Sequence, residues 1–191
     1  MLRYFLRIYL FFVLALCIAS GSAENRNLGG NFKLTTHWNE PYTLSSSKGQ
    51  VVLLFFGFTN CPDVCPHTLG TIKSVLTQLG KRASHVQPLF ISVDPERDTP
   101  ETLANYLEYF GNRFIGLTGS TKEIDTVVKQ FSGFYYTRGE NLPEAPYSID
   151  HTSNLYVIDT DGKVASILPY GTPLQILLKN IETLIPSTQH H

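Results

Sequence analysis

Residues 51–56, VVLLFF, form an apolar run with no polar residue at any alternate position. A strand with one wet face alternates, so a run apolar throughout suits a strand buried on both sides, as in a parallel sheet with helical crossovers. The next residues supply such a crossover. Pro66 fits the first helical position, where a missing N–H costs nothing, and Leu69, Ile72, Leu76 and Leu79 recur at helical spacing before Gly80 ends the run. The connecting stretch, FFGFTNCPDVCPHTLG over residues 55–70, therefore carries Cys61 and Cys65 on a strand-to-helix turn. The third cysteine of the chain, Cys17, lies in an N-terminal apolar segment.

The first N–H groups of a helix are unpaired and carry partial positive charge, which favours thiolate over thiol. Cysteines so placed are expected to be acidified and reactive. Four residues apart, both sulfurs can point to one side and share a small target: each other, as a disulfide, or one soft metal ion. Thiolates select Cu(I) or zinc over magnesium or calcium. A purely structural disulfide is the weaker expectation, because so short a loop removes little unfolded-state entropy and a core of this size needs no staple.

The rest of the chain reads as a scaffold for that pair. Residues 32–35 and 42–44 suggest a small edge hairpin, with His37 and Trp38 in its turn; His37 has no second donor nearby and reads as a surface loop residue rather than a ligand. A second apolar strand spans 86–93. Thr99 caps a helix opened by Pro100, with Leu103, Tyr106, Leu107 and Phe110 on one side and Gly111 after it. A third strand, 114–117, precedes a helix capped by Ser120 or Thr121, with Ile124, Val127, Val128 and Phe131 as its stripe. Residues 132–149, rich in Gly, Tyr, Pro and polar residues, read as an inserted loop or an irregular hairpin. Segments 155–158 and 164–168 flank Asp161-Gly162, a strong hairpin signal. Pro173 then opens a last helix that buries Leu174, Leu177, Leu178, Ile181 and Leu184. This order implies an α/β fold of thioredoxin-like plan: a mixed central sheet, right-handed crossovers and helices on both faces.

With 191 residues, no internal repeat and 16% charged residues, the chain fits one domain over 31–186. Residues 1–23 read as an export signal: Arg3 and Arg7, an apolar stretch over 8–19, then Gly21-Ser22-Ala23 for cleavage. That stretch is short of the roughly 20 residues that span a bilayer; the neighbouring apolar residues 2–6 keep an uncleaved anchor open. Bulky Leu16 argues against lipid attachment at Cys17. Residues 24–30 read as a tether and 187–191 as a tail, whose His190 and His191 offer only incidental metal binding. Without 1–23 the formal charge moves from −1 to −3, and no basic patch suits nucleic acid.

Four segments, GGNFKL, FFGFTNCPDVCPHTLG, SVDPERDTPETL and SIDHTSNLYVIDTDGKV, spread from Gly29 to Val164, carry a resemblance. The chain resembles the Sco/SenC family of thioredoxin-fold copper-binding proteins, which assist copper-site assembly in cytochrome c oxidase. The resemblance implies one copper per chain, Cu(I) or Cu(II), held by Cys61, Cys65 and His151. It implies as partners the copper-site subunit of cytochrome c oxidase and a thioredoxin-like reductant. It also implies an exported, membrane-adjacent monomer in the bacterial periplasm or on the outer face of the inner membrane.

Beside these ligands, Asp150 is expected to point away from His151 on extended backbone, and His67, two residues past Cys65, to face elsewhere. Asp63 reads as a turn residue. Asp94, Arg97 and Asp98 read as a helix-initiating loop held by an Asp/Arg contact; the alternative puts Asp94 close enough to the sulfurs to tune them. The competing activity is a thiol-disulfide oxidoreductase acting on the acceptor's cysteines. Against it stand three residues between Cys61 and Cys65, where common thioredoxin-type enzymes have two. A peroxidase is weaker still, since Phe58 stands where a threonine is expected.

Overall fold

The computed structural model describes residues 28–139 and 147–185. The expected leader, most of the tether, the tail with its two histidines and residues 140–146 of the expected insertion lie outside them. No helix among the described residues is long and apolar enough to cross a membrane.

Among the described residues, nine strands and four α-helices follow in the order β1 (Lys33–Thr36), β2 (Pro41–Thr43), β3 (Val51–Gly57), α1 (Val64–Leu79), β4 (Val86–Ser92), α2 (Pro100–Glu108), β5 (Ile115–Thr118), α3 (Thr121–Gln130), β6 (Tyr135–Arg138), β7 (Ser148–His151), β8 (Leu155–Ile158), β9 (Val164–Leu168) and α4 (Leu174–Glu182). Seven strands form one mixed sheet in the order β2-β1-β5-β4-β3-β8-β9, and β6 and β7 form a separate antiparallel ribbon. β3, β4 and β5 are parallel, as the α1 and α2 crossovers require. The N-terminal hairpin extends the sheet through an antiparallel β1–β5 pairing. Its outward reach is set by long-range pairing, which local sequence does not encode.

β3 is buried on both faces. Val51, Leu53 and Phe55 pack with Leu69, Ile72, Leu103, Leu107, Leu177 and Ile181 of α1, α2 and α4. Val52, Leu54 and Phe56 pack on the other side with Ile124, Val127 and Val128 of α3 and with Phe131. The helices therefore cover both faces, and burying six such side chains at about 25 cal/mol per Å2 makes β3 the centre of the hydrophobic stabilisation.

Local signals act where expected. The Thr99 hydroxyl accepts from the Thr102 N–H, with Pro100 at the first helical position. Ser120 and Glu123 form a reciprocal capping box at α3. α1 begins earlier than the proline suggests: Val64 and Cys65 are its first two residues and Pro66 its third. All three lie in the first turn, where N–H groups lack intrahelical acceptors, so the proline still costs no hydrogen bond.

The register fixes where distant segments meet. β8 runs antiparallel to β3 with Leu155 opposite Phe55, so the residues before Leu155 lie at the carboxyl end of β3. β4 ends there too, with Ser92 opposite Gly57. Three connections thus gather at one sheet end: the cysteine turn after β3, the turn after β4, and the segment joining β7 to β8.

Candidate metal centre

Cys61 sits in the turn leaving β3, where its N–H donates to the Phe58 carbonyl at 3.2 Å. Cys65 is fully buried in the first turn of α1. Gly57 makes room for it, since a Cβ there would stand 2.7 Å from the Cys65 sulfur. His151 ends β7, and its imidazole rests against the edges of Phe55 and Phe58 at ring distances of 6.1 and 5.8 Å.

The sulfurs of Cys61 and Cys65 and a ring nitrogen of His151 all lie within 4.8 Å of one another, and among the described residues this is the group able to hold a metal ion. Both cysteines are free thiols. His151 Nδ1 lies 3.0 Å from the Thr152 carbonyl. A carbonyl only accepts, so Nδ1 donates to it and Nε2 is the nitrogen turned toward the sulfurs. Nε2 is 3.6 Å from the Cys65 sulfur. Such an outer hydrogen bond is the usual means of orienting a metal-binding imidazole. Bonds of about 2.3 Å to sulfur and about 2.0 Å to nitrogen put donors roughly 4 Å apart around one ion, the scale present here. Two thiolates and an imidazole form a soft set that suits copper or zinc and suits hard cations poorly.

The two thiols are not equivalent. A hydrogen bond from Cys65 lowers Cys61 to about 3; His151 and the backbone N–H groups of Asp63 and Cys65 act in the same direction, while burial opposes them. Cys65 moves the other way, far above an ordinary thiol, because its proton is held against the Cys61 sulfur, it is buried, and it faces the Cys61 charge. The helix N-terminus was expected to acidify both. Only one negative charge forms at this spacing without a cation, and it settles on the half-exposed sulfur.

Around the cluster, two carboxylates of the β4–α2 turn take different roles. Asp94 is occupied by Arg97 Nε at 2.5 Å and the Tyr147 hydroxyl at 2.8 Å, so the local reading of this loop holds. The carboxylate that bears on the sulfurs is Asp98, which adds to the upward shift of Cys65. Asp98 is fully buried and accepts from the Thr59 N–H, the Thr59 hydroxyl and the Ser92 hydroxyl. Burial nevertheless raises its own pKa, against those hydrogen bonds.

Asp150 points away from His151 and pairs with Arg138. Asp63 precedes α1 without a side-chain cap, and its carbonyl accepts from the His67 N–H. His67 is exposed against Tyr170, outside the cluster. His37 lies in the β1–β2 turn and outside the metal group, as expected, but it is half-buried: it accepts the Gly116 N–H on Nδ1 at 2.9 Å, fastening that turn to β5. Burial lowers its pKa, which keeps that nitrogen free to accept.

Sequence reasoning did not single out Gly57, Tyr106 or Tyr147. For Gly57 the available signal was a glycine closing a buried run just before the cysteines. The Tyr106 hydroxyl is buried without a partner among the described residues, and burial, followed by its proximity to the thiol pair, pushes its pKa up. A groove of about 500 Å3 between α1 and the β9–α4 connection is lined by His67 and Tyr170 and runs beside the cluster, not over it.

A family model described as SCO1/SenC matches residues 20–186. The human mitochondrial protein SCO1 homolog is 43% identical over 138 residues, 71% of this chain and 46% of that protein, so the match spans about half the relative's length. The SCO2-like protein of Rickettsia felis is 39% identical over 140 residues, 73% of this chain and 68% of that protein. Among solved structures, Bradyrhizobium japonicum ScoI with copper bound superposes with a TM-score of 0.75 at 38% identity, covering 82% of this chain and 99% of that one. A match across most of the sequence, and a shared fold whose sheet end gathers two cysteines and a histidine, lead to one assignment: the chain belongs to the SCO1/SenC family.

Proposed function

We propose that this protein binds one copper ion through Cys61, Cys65 and His151 and delivers it to, or prepares, the copper site of cytochrome c oxidase. The observation that carries this reading is the convergence of three soft donors, from residues 61 to 151, within 4.8 Å. The copper-bound relative of the same fold supports copper over zinc.

In this reading copper is cargo. The Cys61 thiolate, half-exposed, meets the incoming ion first. Cys65 then gives up its proton to solvent, and His151 binds through Nε2, the nitrogen that the Thr152 carbonyl does not engage. Release proceeds by ligand exchange in reverse order to an acceptor's cysteines. A disulfide between Cys61 and Cys65 offers no thiolate, so loading follows its reduction by a dithiol partner, itself left as a disulfide. A thioredoxin-like protein fits that role. The leader-like residues 1–23 support export across the bacterial inner membrane, with the protein acting as a monomer in the periplasm or held at the membrane.

Anaerobic copper titration of the dithiol protein tests this. Wild type should take up one copper per chain. His151→Ala should lose more than the roughly 10–100-fold that outer partners of a metal site cost. Unchanged affinity in the variant, or a preference for zinc, overturns the assignment.

A second reading has its own support. An acidified, half-exposed Cys61 beside a buried, protonated Cys65 is the asymmetry of an attacking and a resolving thiol. Rapid reduction of protein disulfides that persists in His151→Ala would favour that oxidoreductase role.

A further inference from the structure

The turn between β4 and α2 touches both arms of the metal centre, and each contact is made by a different side chain. Asp98 reaches the cysteine arm. Its carboxylate takes the Thr59 N–H at 3.0 Å and the Thr59 hydroxyl at 2.6 Å, two residues before Cys61. The Ser92 hydroxyl, at 2.6 Å, ties the same carboxylate to the end of β4.

Arg97 and Asp94 reach the histidine arm through Tyr147, just before β7. The guanidinium lies over the Tyr147 ring, 3.7 Å from its centroid, and Nη1 donates to the Tyr147 carbonyl at 3.0 Å. Asp94 takes the Tyr147 hydroxyl at 2.8 Å and Arg97 Nε at 2.5 Å. The arginine also stands 5.8 Å from the centroid of Phe58, the ring that backs His151. From Tyr147 the chain runs as a strand to His151, four residues on, a lever of about 13 Å at strand rise.

Arg97 and Asp98 are neighbours in one hydrogen-bonded turn. The Asp94 carbonyl accepts from the N–H of Arg97 at 3.2 Å and of Asp98 at 2.9 Å. Both carboxylates are buried, Asp94 at 3% exposure and Asp98 at 0%. Buried carboxylates are held only while their partners remain in place. The two grips therefore spring from one turn, and each fastens its own arm through its own side chains.

We propose that this turn is a clasp that sets the spacing between the arms of the metal centre: Asp98 positions Cys61, while Arg97 and Asp94, through Tyr147, position His151. The clasp rests on the metal-carrier reading for its purpose. Arg97 is specified over lysine because only a planar fork can donate through Nε and Nη1 while stacking on a ring.

The test uses Arg97→Lys, Tyr147→Phe and Asp98→Asn in the full chain, with two readouts. In the metal-free dithiol protein, amide hydrogen exchange should quicken on β7 in Arg97→Lys and Tyr147→Phe while the Thr59 amide stays protected. Asp98→Asn should do the converse. In the copper-loaded protein, the first two variants should lose imidazole scattering in X-ray absorption and about 10–100-fold in affinity, while sulfur scattering remains. Equal loosening of both arms by each variant, or no change at either arm, overturns the clasp. If wild type takes up no copper, the proposed function falls, and exchange in the metal-free protein alone decides the clasp.

Discussion

Gly57 and Cys65 share one small volume: a Cβ on Gly57 would stand 2.7 Å from the Cys65 sulfur and 2.7 Å from Cε2 of Phe90. Neither neighbour can retreat, since both are fully buried. Gly57→Ala should therefore destabilise the dithiol protein by about 1–3 kcal/mol, the usual cost of overpacking a tight core. It should also weaken metal binding by displacing Cys65. Denaturant unfolding and metal titration measure the two effects, and full retention of both would show that the strand end has slack.

The opposed shifts of the two thiols give the dithiol protein a defined pH dependence. Cys61 is depressed from an ordinary 9.0 to about 3. A depressed group stabilises the fold fully above its unfolded value and loses that contribution as pH falls toward the folded one. Cys65 is raised: its contribution is complete below pH 9 and is lost above it, where the unfolded thiol ionises first. Relative to Cys61→Ser, wild-type stability should climb as pH rises from acid toward 9. Iodoacetamide should label Cys61 alone in the native protein, at a rate nearly flat between about pH 5 and pH 8, because the thiolate population does not change there. Labelling that falls with an ordinary thiol profile would contradict the assignment of the charge to Cys61.

Much of this architecture is written locally. The β8–β9 hairpin has the bounds that its apolar segments and Asp161-Gly162 imply, because Gly162, at φ +87°, takes a backbone conformation that few side chains tolerate. Thr99 and Ser120 announce their helices through hydrogen bonds made within four residues. The centre itself is legible only through long-range order. His151 reaches the cysteines because β8 is antiparallel to β3, a pairing that no local pattern specifies. That Asp98, and not Asp94, bears on the sulfurs depends on which way a single turn folds. The split between the two thiols depends on how one proton is shared across a few ångströms, which spacing alone does not state.

Ser120 provides a control remote from the metal centre. Its hydroxyl accepts the Glu123 N–H, and the Glu123 carboxylate in turn accepts the Ser120 N–H at 2.8 Å. Ser120→Ala should cost about 1 kcal/mol, the common value for a lost N-cap, and leave metal affinity unchanged. Since α3 covers the sheet face opposite α1, a change in metal binding in this variant would mean that the two faces are coupled more tightly than their separate cores imply.

His67 is the imidazole nearest to the cysteines in sequence, yet two residues along a helix turn it roughly 200° away from Cys65. Its ring lies edge-on to Tyr170, 5.3 Å between centroids, on the wall of the groove beside the site. The buried Cys65 sulfur faces His151 instead, which enters from β7 with Nε2 turned toward it. His67→Ala should accordingly keep one copper per chain, the same affinity and the same imidazole scattering, whereas His151→Ala loses the last two. Because both variants remove one imidazole of the same size, the pair separates ligand identity from any general effect of losing a histidine. Loss of nitrogen scattering in His67→Ala would mean that the first turn of α1 unwinds on metal binding and that the third donor comes from the helix.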